Sequence, residues 1–280
     1  MAGKNPIVLY NGIYEEIQVG DVINPVYLSP CNVLQQAVIN GNFAINQLVV
    51  SGTVTLAAGA YGHDMWKAGA SGCIYTFATT ANITTITITS GTLQQIIEGI
   101  NLYTGTYALS WTGTSQGRIN SGSYSASGIT GAITGGTNAT VEFGTGTLSK
   151  VNFNFGTIAL PFQAKSFTED RNACLRYFET SYDYGITPGS ASSLGAVYST
   201  SGATGVLQGF RFRVEKRTDA LVTIYSPSGT KGDIWGSTDS NVGASISVGN
   251  PGTCGVRYLA GSNITTGYPY TFHYTSDARL

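Results

Sequence analysis

The sequence predicts an all-β protein: two β-sandwich, jelly-roll-like modules joined by a short helix, with an N-terminal hairpin arm. Three observations predict it. Apolar runs are short and alternate with Thr and Ser, the period-two pattern of half-buried strands. Turn residues are dense, with Gly alone at 37 of 280 residues. Helix signals gather in one stretch only, residues 166–180. With 42% hydrophobic residues the chain can fill cores, so disorder is excluded.

The charge content narrows the function classes. Charged residues make up 10% of the chain, against roughly 25% in an average soluble domain. Solubility therefore comes from hydroxyls and amides, which suits a subunit packed in a large assembly. A net charge of −1 offers no basic surface to nucleic acid. No run approaches the ~18 apolar residues of a membrane span, and no membrane insertion is expected. Lys4 leads into Asn5-Pro6 and a turn, unlike a secretory leader. Cys31, Cys73, Cys174 and Cys254 are scattered, and His63 and His273 are the only histidines. No ligand-spaced pair exists, so neither metal nor other cofactor is expected. The cysteines read as buried free thiols of a protein folded in a reducing cytoplasm.

In chain order, residues 1–30 form an arm. Ile7–Tyr10 and Ile13–Ile17 flank Asn11-Gly12, a two-residue hairpin turn. A lone hairpin is marginal in water, so it needs a partner surface. That surface is either a neighbouring subunit or the body of this chain. Residues 31–165 are the first sandwich. Asn40-Gly41 is a turn; Phe43 and Ile45 then alternate as a strand. Asp64 precedes Trp66 by two residues, an arrangement in which Trp fills a core and the carboxylate ties down a loop. Leu34, Ala37 and Val38 suggest a short helical or extended entry. Thr53–Leu56, Cys73–Phe77, Ile83–Thr89 and Tyr107–Trp111 read as strands. Residues 113–136, rich in Gly, Ser and Thr, should give long turns and edge strands. Val151, Phe153 and Phe155 share one face of a closing strand.

Residues 166–184 are the helical connector. Ser166 and Glu169 have capping-box spacing, and Cys174, Tyr177 and Phe178 would form one apolar stripe. Residues 185–280 are the second β module. Phe210, Phe212 and Val214 alternate with charges and should pair with Leu221–Tyr225. Ala244–Val248, Val256–Leu259 and the segment from Phe272 follow as strands.

Four separate segments together resemble tailed-bacteriophage tail and fibre proteins that carry a carbohydrate-binding-module-like jelly roll. They are Asn40-Gly41-Asn42-Phe43-Ala44-Ile45-Asn46-Gln47 with Tyr61, Asp64 and Trp66; Leu93–Gly99 followed by Tyr107–Trp111; Leu160-Pro161-Phe162-Gln163 followed by Ala173-Cys174-Leu175-Arg176-Tyr177-Phe178; and Phe272–Leu280. The chain departs from that pattern at Leu160, Gln163 and Phe178, and residues 113–136 are not covered. The resemblance implies a virion protein assembled in the host cytoplasm, a homotrimer, with its arm bound to other phage proteins. It also tips the arm toward attachment or oligomer contact. In a bacterial virus the sequons at Asn82, Asn138 and Asn263 would be unmodified.

Catalysis has little support. Neither His lies in a nucleophile elbow. Glu142 stands alone in its strand, while Glu169, Asp170, Glu179 and Asp183 are explained by capping and solvated pairing around the helix. Sugar binding has more support, because sugars stack on aromatic faces ringed by amides and hydroxyls. Trp66 and Trp111 read as packing residues. Trp235 lies in a polar turn region and is the best platform candidate, with Tyr184, Tyr198, Tyr268 and Tyr270 near loops. Taken singly, each tyrosine is more commonly a half-buried surface or interface residue. Asn40, Gly41, Phe43, Asp64, Trp66, Trp111, Cys174, Arg176 and Tyr177 read as the folding signature. The expected function is a tail-fibre or tip component contacting host-surface polysaccharide. The alternatives are a purely structural collar, baseplate or capsid-decoration subunit, and a capsule depolymerase.

Overall fold

The computed structural model describes residues 7–10 and 13–16 by their backbone, and 36–280 in full. Strands β1 (Ile7–Tyr10) and β2 (Ile13–Glu16) pair antiparallel, with Tyr10 opposite Ile13. The role of the arm as an attachment, and the positions of Cys31 and Leu34, lie outside the described residues.

The first sheet system contains β3 (Val54–Leu56), β4 (Lys67–Thr80), β5 (Ile83–Ile97), β6 (Gly105–Thr112), β7 (Gly117–Ile119), β8 (Ile129–Ile133), β9 (Ala139–Phe143) and β10 (Gly146–Phe155). In β5 the alternating pattern puts Ile86 and Ile88 in the core and leaves Thr85, Thr87 and Thr89 outside it. One strand then serves two layers. β5 pairs with β10 through Ile86–Ile88 and with β9 through Leu93–Ile97. Between the two halves Gly91 takes φ +71°, and β4 shifts register between Ala68 and Cys73. A Cβ at Gly91 would run into the Gly72 carbonyl, so glycine is required where the hairpin bends between layers. The Gly-rich middle supplies two short edge strands, β7 against β9 and β8 against β6. Gly117 leaves room for the Trp111 and Phe143 rings, which meet edge-on at 5.0 Å.

The second sheet contains β11 (Phe178–Thr180), β12 (Val197–Ala203), β13 (Val206–Arg211), β14 (Leu221–Tyr225), β15 (Ser247–Pro251), β16 (Gly255–Ala260) and β17 (Pro269–Asp277). β17 is its spine, pairing with β12 through residues 269–272, β11 through 275–277 and β14 through 273–277. Tyr270, Phe272 and Tyr274 point from it into a core with Leu207, Ile234 and Leu259. All-β architecture with two sheet systems and one α-helix among the described residues thus follows from the alternation and turn density.

Several local expectations are corrected. Residues 42–46 are not a strand, although Phe43 and Ile45 are buried. Phe43 takes φ +54°, outside the strand region altogether. Entry into the first sandwich is extended, by a bridge from Gln36 to Asn154. Helix α1 (Phe167–Leu175) has the Ser166–Glu169 capping box but ends before Tyr177. Phe178 is recruited into β11 opposite Asp277, so residues 178–180 belong to the second sheet. Phe155 is 46% exposed, since the register of β10 slips between Ser149 and Asn152. β14 pairs with β17, not with the Phe210 strand, which ends at Arg211. Residues 244–246 precede β15 instead of belonging to it. Cys254 is exposed, unlike the buried thiols Cys73 and Cys174.

Candidate functional site

The outward face of the second sheet gathers residues from three distant segments. Tyr198 of β12 lies directly opposite Thr271 of β17. On the other edge of Thr271 sits Trp235, whose backbone N–H and C=O exchange bonds of 2.9 and 3.0 Å with Thr271. Both Thr271 backbone groups are thereby committed to Trp235. The Tyr198–Thr271 pair is therefore of the non-hydrogen-bonded kind, with side chains close together. Asn241 bridges to Trp235 on its far side. Directly opposed residues share a face, so Tyr198, Thr271, Trp235 and Asn241 form one row. The outer aromatics stand about 10 Å apart at their Cα atoms. Asn241 accepts from Ser228 Oγ at 2.9 Å and donates to Thr230 Oγ1 at 2.9 Å. Tyr198 is 69% exposed and Trp235 half-buried. Among the described residues, neither the Tyr198 hydroxyl nor the Trp235 indole N–H has a partner.

This row has the composition a sugar face needs: two aromatic rings, a hydroxyl and an oriented amide. No family, no curated protein and no solved structure matches this chain. The geometry of its own side chains must therefore carry any reading of the site.

The other tyrosines are placed elsewhere. Tyr270 is corrected to a core residue: it is 4% exposed, on the opposite face from Thr271, with its hydroxyl accepting from Thr265 N–H at 2.8 Å. Tyr268 is exposed, with its carbonyl accepting from Ser201 N–H. Tyr184 faces the first sandwich, accepting from Asn46 N–H at 3.0 Å and donating to the Ala44 carbonyl at 3.2 Å. Thr271 and Asn241 complete the row, yet no local signal in the sequence marks them. Only the pairing of β17 with two other segments brings them there.

The residues around Asn40 and Trp66 form a dense joint between the two β bodies. The Asn40 amide accepts from Ile45 N–H and donates to the Ile45 and Asp64 carbonyls, each at 2.9 Å. Trp66 Nε1 donates to the Asn40 carbonyl at 2.9 Å. Asn40 N–H donates to Asp170 Oδ1 of α1, so the turn is tied to the helix. Gly41 packs under the Val151 carbonyl, with no room for a Cβ. Asp64 accepts from Gln47 N and Nε2 at 2.6 Å each, and Gln47 Nε2 also reaches the Phe178 carbonyl. Burial holds the Asp64 carboxyl above the usual range, and the Gln47 bonds oppose that shift. Ile45, Met65, Cys174 and Tyr177 fill the joint. Arg176 pairs with Glu98, whose Oε2 also accepts from the Tyr177 hydroxyl at 2.8 Å.

Two acids that the sequence left solitary or solvated have firm partners. Glu142 is paired with Arg118 and accepts from Thr92 Oγ1 at 2.6 Å. Glu179 is fully buried, bound to Lys216 Nζ at 2.6 Å and to the Tyr274 hydroxyl at 2.6 Å. Asp170 is also buried, not solvated.

A Ser–His contact does exist. Ser181 Oγ lies 3.0 Å from His273 Nδ1. Tyr274 N–H donates to Ser181 Oγ, so the hydroxyl proton points at Nδ1. Nε2 then carries the ring proton and donates to the Ser192 carbonyl at 2.9 Å. Tyr182 stacks on the imidazole at 3.7 Å, and Ser181 and His273 are both buried. Sealed on both sides, the pair braces β11, β17 and the 190s loop and leaves no space for an acyl group at Oγ.

Proposed function

We propose that the chain is a non-enzymatic structural protein of a tailed-phage virion, a tail-fibre or tip component, and that the Tyr198–Thr271–Trp235–Asn241 row contacts host-surface glycan. The observation that carries the glycan contact is this row of outward aromatic, hydroxyl and amide groups on a sheet with little charge. The phage assignment rests on the resemblance of the four sequence segments. Contact through one shallow face is weak per copy, and a trimer multiplies it by avidity. Trp235→Ala should abolish binding on a glycan array and reduce adsorption to the host, with an unchanged melting temperature. Unaltered binding and adsorption in that variant would remove the row from the account.

A second reading is a purely structural collar, baseplate or decoration subunit. Ile100, Tyr103 and Ile158 on the first body are 77%, 78% and 62% exposed, which favours burial against a neighbour. Imaging the labelled protein in the particle, away from the host-facing end, would select this reading.

A further inference from the structure

A cleft of about 610 Å³ lies between the far end of the β4–β5 hairpin, the 42–46 loop and the start of α1. That volume falls within the range of about 300–1,000 Å³ usual for small-ligand sites. Its apolar walls are the rings of Phe77 and Phe167, and Phe167 is 48% exposed at the first helical position. Beneath them His63 is buried and held neutral, its pKa lowered to about 4 by desolvation.

The polar lining is unusually under-used. Asn42 donates through Nδ2 to the Asn82 carbonyl at 2.7 Å, which fixes its amide. Its Oδ1 is shielded from bulk solvent and has no partner. An orphaned acceptor of this kind costs about 1–3 kcal/mol unless a donor reaches it. Lys165, half-buried on one wall, has no acceptor for Nζ among the described residues. Asp170 uses only Oδ1, to receive Asn40 N–H at 3.0 Å, and leaves Oδ2 free. Lys165 and Asp170 are not paired with each other, yet both line the cleft. The backbone presenting Asn42 is itself costly: its neighbour Phe43 is held at φ +54°.

We infer that this cleft is a second saccharide site, taking one neutral pyranose unit between Phe77 and Phe167. A ring hydroxyl donates to Asn42 Oδ1, and a vicinal pair of hydroxyls spans Lys165 and Asp170, accepting from one and donating to the other. A free anion is disfavoured, because the single cation stands beside a carboxylate and the remaining free atoms are acceptors. A saccharide supplies both donors and acceptors on a ring whose C–H faces stack on aromatic walls. The inference shares the ligand class of the outward row but uses different residues, so each can fail alone.

The test is NMR titration of the full chain with methyl β-D-glucopyranoside and with N-acetylglucosamine, following the side-chain amides of Asn42 and Asn241. Perturbation of Asn42, weakened about tenfold by Phe167→Ala and by Lys165→Ala but not by Trp235→Ala, supports the cleft. Perturbation confined to Asn241 and lost in Trp235→Ala overturns the cleft and leaves the outward row standing. Perturbation of Asn42 that survives both cleft variants, or no perturbation there with either sugar, also overturns it. Lys165→Ala removes a side chain with no packing partner of opposite charge, so it separates lost binding from lost fold should Phe167→Ala be unstable.

Discussion

The joint around Asn40 and Trp66 and the row around Trp235 are built from the same residue types, and they do opposite things. Each has a Trp, a Tyr, an Asn and hydroxyl or amide neighbours. In the joint every one of these is spent internally: Trp66 Nε1 on the Asn40 carbonyl, the Asn40 amide on three backbone groups, the Tyr184 hydroxyl on the 44–46 loop. In the row the indole and phenol point outward with polar groups unspent. Residue type therefore does not distinguish a fastening from a binding surface; the hydrogen-bond ledger does. The largest consequence is predicted for Asp64. Asp64→Ala strands Gln47 N–H and Nε2–H in a buried place, and each orphaned donor costs about 1–3 kcal/mol. A loss of about 2–5 kcal/mol should appear in denaturant unfolding, with a smaller loss in Asp64→Asn, which keeps one acceptor. If Asp64→Ala unfolds at the wild-type midpoint, the joint is not the fastening its geometry implies.

A second test separates the joint from the row through pH. His63 sits at the joint with its imidazole pKa lowered from 6.5 to about 4 by burial. The unfolded chain binds its proton first, so its contribution to stability is complete above about pH 6.5 and is lost as pH falls toward 4. The upper bound is about 3 kcal/mol over that window. Asp64 and Asp170, both raised by burial, pull the opposite way. They cancel in the difference between wild type and His63→Asn, whose Oδ1 can replace Nδ1 as acceptor for the Tyr75 hydroxyl. That difference should shrink in favour of the variant on acidification. A pH-independent difference would place His63 in a wetter setting than described. No such window is expected from the row, which contains no group titrating there.

Much of the fold was legible because strand alternation and turn chemistry are local. Ile86 and Ile88, the capping box at Ser166 and the Asn11-Gly12 hairpin could be read from neighbours alone. The helix length could not, since Phe178 is drawn out of the helical pattern by Asp277, which lies almost a hundred residues later. For the same reason the strand proposed at Phe43 fails. A side chain, Asn40, supplies to Ile45 the bonds that a neighbouring strand would give. The site was legible only in half. Trp235 and Tyr198 stood out as aromatics near polar turns, whereas Thr271, Asn241 and the cleft around Asn42 exist only once β17 and α1 are in place. Tyr270 shows the limit from the other side. One residue before Thr271, it points the other way because a strand alternates.

The smallest effect discriminates most finely, because it compares two tyrosines that both reach solvent. Tyr184 is 40% exposed and Tyr198 69%. Tyr184→Phe removes the acceptor of Asn46 N–H and the donor to the Ala44 carbonyl, at a site partly open to water. Water can replace some of each bond, so the loss should be about 0.5–1.5 kcal/mol. Tyr198→Phe removes a hydroxyl with no protein partner and should lie within about 0.5 kcal/mol of wild type, as ordinary surface changes do. Paired thermal melts resolve that difference. Equal losses would mean the Tyr198 hydroxyl is already engaged, and the outward row would then be a fastening like the joint. A silent Tyr198→Phe that also weakens sugar binding would show a group held in reserve for a ligand, while Tyr184 spends the same chemistry on joining two bodies.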